Sequence, residues 1–277
     1  MTVVPAPARP VPDWAGRLHV NQWRVVVSEW TKLRSLRSTL WSLFVAVVFT
    51  IGLPCVFATV TAVRWSHMSL HERLDRHPLE IATAGVNLSQ LAIGVLGVLI
   101  ITGEYSTGMI RASFGAVPKR LPVLWAKIAV FAAVTFALML PSVILGFVGS
   151  QAILRNHHIL EISFSHPGVA RTVVGGAIFL TFVGIFTMGL GAITRNTAGG
   201  IAVFAGIFFV IPPLMNILPT SWNQAISEYL PSSAARDVFS LTHGAHDLAP
   251  GPGIALFCAY IAVAVAVAAV LLVRRDA

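Results

Sequence analysis

Six long apolar runs, at positions 39–63, 81–102, 121–150, 172–194, 197–218 and 254–273, alternate with short polar stretches. Each is long enough, at 1.5 Å per residue, to cross a hydrocarbon core of roughly 30 Å, so the pattern predicts six transmembrane α-helices. The last run alternates Ala and Val with a period of two, but its length and the closing Arg274 and Arg275 decide for a spanning helix over a strand. Pro54 predicts a kink in the first helix, and Pro212 and Pro213 predict a break in the fifth. Only Arg195 and Asn196 separate the fourth and fifth runs, which predicts a tight antiparallel hairpin. Gly175, Gly176, Gly184, Gly189, Gly191, Gly199, Gly200 and Gly206 suit close helix packing there, although no strict Gly-x-x-x-Gly occurs.

The flanks read differently. Positions 1–18 are rich in Pro, Ala and Val without a continuous apolar core for a signal peptide, and are expected to form a disordered tail. Over 19–38, at 100° per residue, Trp23, Val26, Val27, Trp30 and Leu33 share one face, and Arg24, Ser28, Thr31, Lys32 and Ser35 the other. That is an amphipathic helix lying in the membrane interface, anchored by Trp23, Trp30, Lys32 and Arg34, a role compatible with also binding a partner. Positions 219–250 carry Trp222, Ile226, Tyr229 and Leu230 at helical spacing before Pro231, and predict short surface or re-entrant helices.

Composition agrees: 56% of the 277 residues are hydrophobic and 11% charged, and the mean hydropathy is +0.80, which excludes an ordinary soluble domain. The net charge of +8 reads as orientation rather than as a nucleic-acid surface. Thirteen of the nineteen Lys and Arg residues, including all three lysines, lie on the side that holds both termini and the loop after the second run. The positive-inside rule places that side in the cytoplasm. Cys55 and Cys258 sit in separate apolar runs and indicate neither a disulfide nor a metal pair.

Chemistry-bearing motifs are mostly missing. There is no phosphate-cradling Gly-x-x-x-x-Gly-Lys loop, no Gly-x-Ser-x-Gly elbow and no His-Glu-x-x-His or Cys-x-x-Cys site. His67, His71, Glu72, Asp75 and His77 crowd one loop, but the zinc-protease spacing is not met, so a solvated loop is expected there, as for His157 and His158. Asn87, Ser89 and Gln90 lie within the second run and either bond neighbouring helices or line a polar path. Glu104 reads as the sole carboxylate near a helix core, and there is no mid-membrane relay of acids for proton coupling.

The organising stretch is Gly103-Glu104-Tyr105-Ser106-Thr107-Gly108-Met109-Ile110-Arg111, a polar, basic interruption between two apolar runs. Together with the lead-in Ser28-Glu29-Trp30-Thr31-Lys32-Leu33-Arg34-Ser35-Leu36-Arg37-Ser38, it resembles the ABC-2 type permease subunits of bacterial ABC exporters. The resemblance extends over nearly the whole chain, with Glu-Tyr-x-x-Gly its most specific part. It implies an all-α integral membrane protein of six transmembrane helices over 39–277, an N-terminal elbow helix, and a cytoplasmic coupling helix after the second span. It further implies a multi-pass permease in the bacterial plasma membrane, both termini cytoplasmic, that pairs with a second permease chain and with separate ATP-binding subunits. ATP and Mg are then bound by the partner, and this chain has no cofactor and is no enzyme. Glu104, Tyr105, Thr107, Gly108 and Arg111 carry over as ATPase-coupling residues, with Arg195 and Asn196 in a second contact. Glu104 can also pair with Arg111 or another base, which is compatible with partner contact, and Tyr105 can be an interfacial anchor. A membrane enzyme using the loop histidines, or a non-transporting immunity or sensor protein on the same scaffold, are the alternative readings.

Overall fold

The computed structural model describes residues 22–74, 76–107, 120–159, 161–237 and 249–274. The expected tail at 1–18, Asp75, Gly108, Arg111 and the stretch expected to form a coupling helix lie outside them. Among the described residues the chain is all-helical, in the order α1 (Gln22–Ser35), α2 (Arg37–Arg64), a short 3₁₀ turn (Trp65–His67), α3 (Leu70–Leu74), α4 (Pro78–Ser106), α5 (Arg120–Asn156), α6 (Val169–Thr194), α7 (Thr197–Ala205), a π turn (Gly206–Val210), α8 (Ile211–Met215), α9 (Thr220–Ser227), α10 (Pro231–Asp237) and α11 (Pro250–Arg274). Among the described residues six helical segments are long and apolar enough to cross a membrane, which is the architecture of a multi-pass membrane protein.

Helices α4 and α6 form the centre. Val86, Ile93, Leu96 and Val98 of α4 and Ala177, Leu180, Val183 and Met188 of α6 are sealed, with α2, α5 and α11 packed around them. By contrast α2 presents Trp41, Phe44, Val56, Phe57 and Val63 outward, which in water would be prohibitive and in hydrocarbon is not.

Pro54 lies inside α2, which is assigned as one continuous helix from Arg37 to Arg64. Proline has no N–H to give the carbonyl of Thr50, four residues back. Gly85 of α4 and Gly146 of α5 come up against that carbonyl from two sides; a methyl added at either would stand 2.7 or 2.5 Å from the Thr50 oxygen. Three backbones therefore meet at one point, which Pro54 exposes and two glycines make room for.

The fifth span does not break where two prolines predict it. After Ala205 it widens into the π turn, in which the Ile211 N–H bonds the Gly206 carbonyl, and it then restarts as α8 with Pro212 and Pro213 in its first turn. A first turn is where missing N–H groups cost least. Phe208, within the π turn, packs on Phe204 and Phe186 with ring centroids 5.2 and 6.0 Å apart.

The tight hairpin at Arg195 and Asn196 is present. Arg195 takes a left-handed conformation (φ 53°) and donates its N–H to Gly191 O, while the Asn196 side chain accepts from the Gly199 N–H at 2.8 Å to start α7. Helix α5 runs six residues past the expected end at 150, because buried Leu154 packs inward and Gln151 is used structurally. The Gln151 side chain accepts from Ile162 N–H at 2.9 Å and donates to Pro78 O at 3.3 Å, tying the next loop to the start of α4. Short helices do follow the fifth span, as expected of 219–250. Trp222 and Tyr229 stay exposed, and Ala234 and Ala235 of α10 are fully buried.

Candidate functional site: a closed ring of charges under α1

Lys127 sits in the second turn of α5, where the apolar pattern predicts membrane and an unpaired ammonium would be costly. It is paired twice: its Nζ donates to Glu29 Oε2 of α1 at 2.5 Å and to Glu104 Oε1 of α4 at 2.8 Å. Lys32, one turn beyond Glu29, closes the ring by donating to Glu29 Oε1 at 2.7 Å and to Glu104 Oε1 at 3.1 Å. Two carboxylates and two ammonium groups thus alternate, with side-chain exposures of 5% for Glu29, 8% for Lys127, 13% for Glu104 and 23% for Lys32. Burial pulls the Lys32 ammonium downward, and its bonds to Glu29 and Glu104 more than offset this and hold it above its ordinary value of 10.5.

The ring changes how Glu104 and the lead-in helix read. Glu104 is not the sole embedded carboxylate, since Glu29 is more deeply buried. The Lys32 ammonium points into the ring, while Trp23, Trp30 and Arg34 stay exposed. The side of α1 turned to the bundle carries Val25 and Glu29, with Val26, Lys32 and Leu33 half-buried, so most of the Trp-rich face points away. Glu104 takes its bases from α1 and α5, and Arg111 lies outside the described residues.

Beside the ring is a cavity of about 280 Å³, floored by Glu29, Lys32, Glu104 and Lys127 and walled by Leu99 and Ile100. It lies at the end of α4 that carries the other expected coupling residues. Tyr105 stacks under Arg195, whose guanidinium carbon is 5.1 Å from the ring centroid, and Arg195 also donates to Leu271 O of α11 at 3.2 Å. Thr107 Oγ1 turns back to Gly103 O at 2.8 Å, and Thr197 Oγ1 donates to Thr102 Oγ1 at 2.8 Å, joining the start of α7 to the end of α4. Glu104, Tyr105, Thr107, Arg195 and Asn196 are therefore neighbours at one end of the bundle, although 88 or more positions separate the first three from the last two.

Asn87, Ser89 and Gln90 have different surroundings. Asn87 is exposed on the outside of α4, Ser89 bonds Thr50 Oγ1 at 2.7 Å and Ala46 O at 2.9 Å of α2, and Gln90 donates back to Asn87 O at 2.8 Å. Interhelical bonding is the reading that holds for Ser89. In the loop before α4, Ser69 and Glu72 form a reciprocal capping box: Glu72 Oε2 accepts from the Ser69 N–H and hydroxyl, both at 2.8 Å, and Ser69 Oγ accepts from the Glu72 N–H. Those two bonds from Ser69 hold the Glu72 carboxyl below its usual range, and no metal-ligand group of three occurs among the described residues.

Sequence reasoning missed Glu29 and Lys127. A signal for each was available: Glu29 and Lys32 stand three apart on one helix, and Lys127 lies seven positions inside an apolar run where a lone cation demands a partner. Compared with known proteins, the chain matches no family model and no curated protein.

Proposed function

We propose that this chain is the transmembrane permease subunit of an ATP-driven exporter, which couples to a separate ATP-binding subunit through the end of the bundle that bears the charge ring. The observation that carries this reading is the convergence, around the Tyr105–Arg195 stack, of 195–196 with 103–107, the described part of the first segment that the resemblance assigns to the ATPase contact. A chain without a phosphate-cradling loop needs its work done by another subunit, and force on this end has rigid routes into the bundle. The ring joins α1, α4 and α5, and Arg195 joins the α6–α7 turn to α11. A movement of a few ångströms at Glu104 is thereby shared among helices rather than lost in a loop. On this reading the side is cytoplasmic, the membrane is the bacterial plasma membrane, and a second permease chain completes the translocation path.

The test is to co-purify the chain with a candidate Walker-motif ATPase in nanodiscs and to follow ATP hydrolysis for wild type, Tyr105→Ala and Arg195→Ala. Stable association, with at least a tenfold loss of permease-dependent hydrolysis in both variants, supports the assignment. Absence of any associating ATPase, or hydrolysis unchanged in both variants, removes it and raises the sensor reading.

A further inference from the structure

A second hollow, about 590 Å³, lies between α1 and α5 on the outside of the bundle. Its rim is Trp23, Val27 and Trp30, which are 70%, 45% and 47% exposed, and its floor includes Ala129, Ala133 and Ala137. Spaced by four, the alanines follow one another along α5 and leave a trough roughly 12 Å long where larger side chains would fill it. A hollow of about 590 Å³ along such a stripe has the volume for one hydrocarbon chain. The two indoles on the rim stand in the way of a bulky second helix on the alanines more than of a thin acyl chain.

Charge selects among lipids. Because Glu29 is consumed by Lys32 and Lys127, the exposed charges between positions 22 and 38 are Arg24, Arg34 and Arg37, with no exposed acid among them. At 100° per residue Arg34 falls within about 20° of Trp23, so a cation continues the stripe of the trough's rim. Guanidinium groups bind phosphate through paired N–H donors, and a lipid with net negative charge gains more here than a zwitterionic one.

We propose that the trough between α1 and α5 is a binding site for one anionic phospholipid, its acyl chain over Ala129, Ala133 and Ala137 and its phosphate on the exposed arginines of 24–37. This holds whether or not an ATPase docks. The full-length chain, released from nanodiscs of mixed phosphatidylglycerol and phosphatidylcholine, is examined by native mass spectrometry. Wild type is expected to retain one phosphatidylglycerol with at least a fivefold preference. Ala133→Phe, which fills the trough, should abolish that retention, whereas Val56→Phe on the exposed face of α2 should not. The double substitution Arg24→Gln and Arg34→Gln should bring phosphatidylglycerol down to the level of phosphatidylcholine. Thermal melting of each variant separates loss of lipid from loss of fold; if Ala133→Phe unfolds, Ala137→Phe is used with the same expectation. Equal retention of the two lipids, retention unaffected in a folded trough-filling variant, or a dimer signal lost in its place would overturn the proposal, the last pointing to a second copy.

Discussion

At the scale of single residues, the ring is a balance that tolerates paired changes better than single ones. Buried ions cost desolvation, and their attraction repays it only while each has its partner. Lys127→Met leaves Glu29 and Glu104 to share Lys32 alone, and the expected loss is about 3–5 kcal/mol of stability in denaturant unfolding from detergent micelles. Lys127→Met combined with Glu104→Gln restores neutrality and keeps the Glu29–Lys32 pair, so it should cost clearly less than the single change. A single variant as stable as wild type would mean that the ring has no structural weight. This ring was the least legible part of the sequence, for a physical reason. Periodicity assigns charged positions to solvent, and what turned Glu29 and Lys32 inward was the arrival of Lys127 and Glu104 from 98 and 72 positions away.

Among elements, the spans were readable because membrane crossing is a demand on length and composition, both local properties. The contacts between them were readable only in part. That glycines would lie at helix crossings followed from composition, but that Gly85 and Gly146 both face the carbonyl opposite Pro54 depends on where three separate helices cross. Alanine at either position places its methyl within 2.7 Å of the Thr50 oxygen and forces α2 away from α4 or α5. Alanine at Gly52, two residues before the same proline, meets nothing within 4 Å and gains helix propensity. Gly52→Ala should therefore add up to about 1 kcal/mol, while Gly85→Ala and Gly146→Ala should lower the unfolding midpoint; the same ordering in all three variants would contradict the crossing. The π turn was likewise beyond the pattern. Two prolines announce trouble for a helix, but not that the chain will answer by widening one turn earlier.

For the whole molecule, six crossings fix which segments share a side, independently of any partner. Helices α2, α4, α5, α6, the α7–α8 segment and α11 put Ser106, with the turn at Arg195 and Asn196, at one end, and Ser66, Ser165 and Gln224 at the other. The charge count adds a direction, since the end with Ser106 belongs to the side that holds thirteen of nineteen basic residues and is expected to face the cytoplasm. Each position can carry a single cysteine in a chain from which Cys55 and Cys258 have been removed. With a membrane-impermeant maleimide on intact cells, Ser66→Cys, Ser165→Cys and Gln224→Cys should label and Ser106→Cys should not until the membrane is opened. Labelling of all four from outside would mean that neither α4 nor α5 crosses the membrane, since Ser66, Ser106 and Ser165 are separated by those two helices. The reverse pattern would keep the architecture and reject the orientation, and with it the docking of a cytoplasmic ATPase on the ring. The one experiment thus separates the fold, which rests on length and packing, from the function, which rests on what reaches Glu104 and Tyr105.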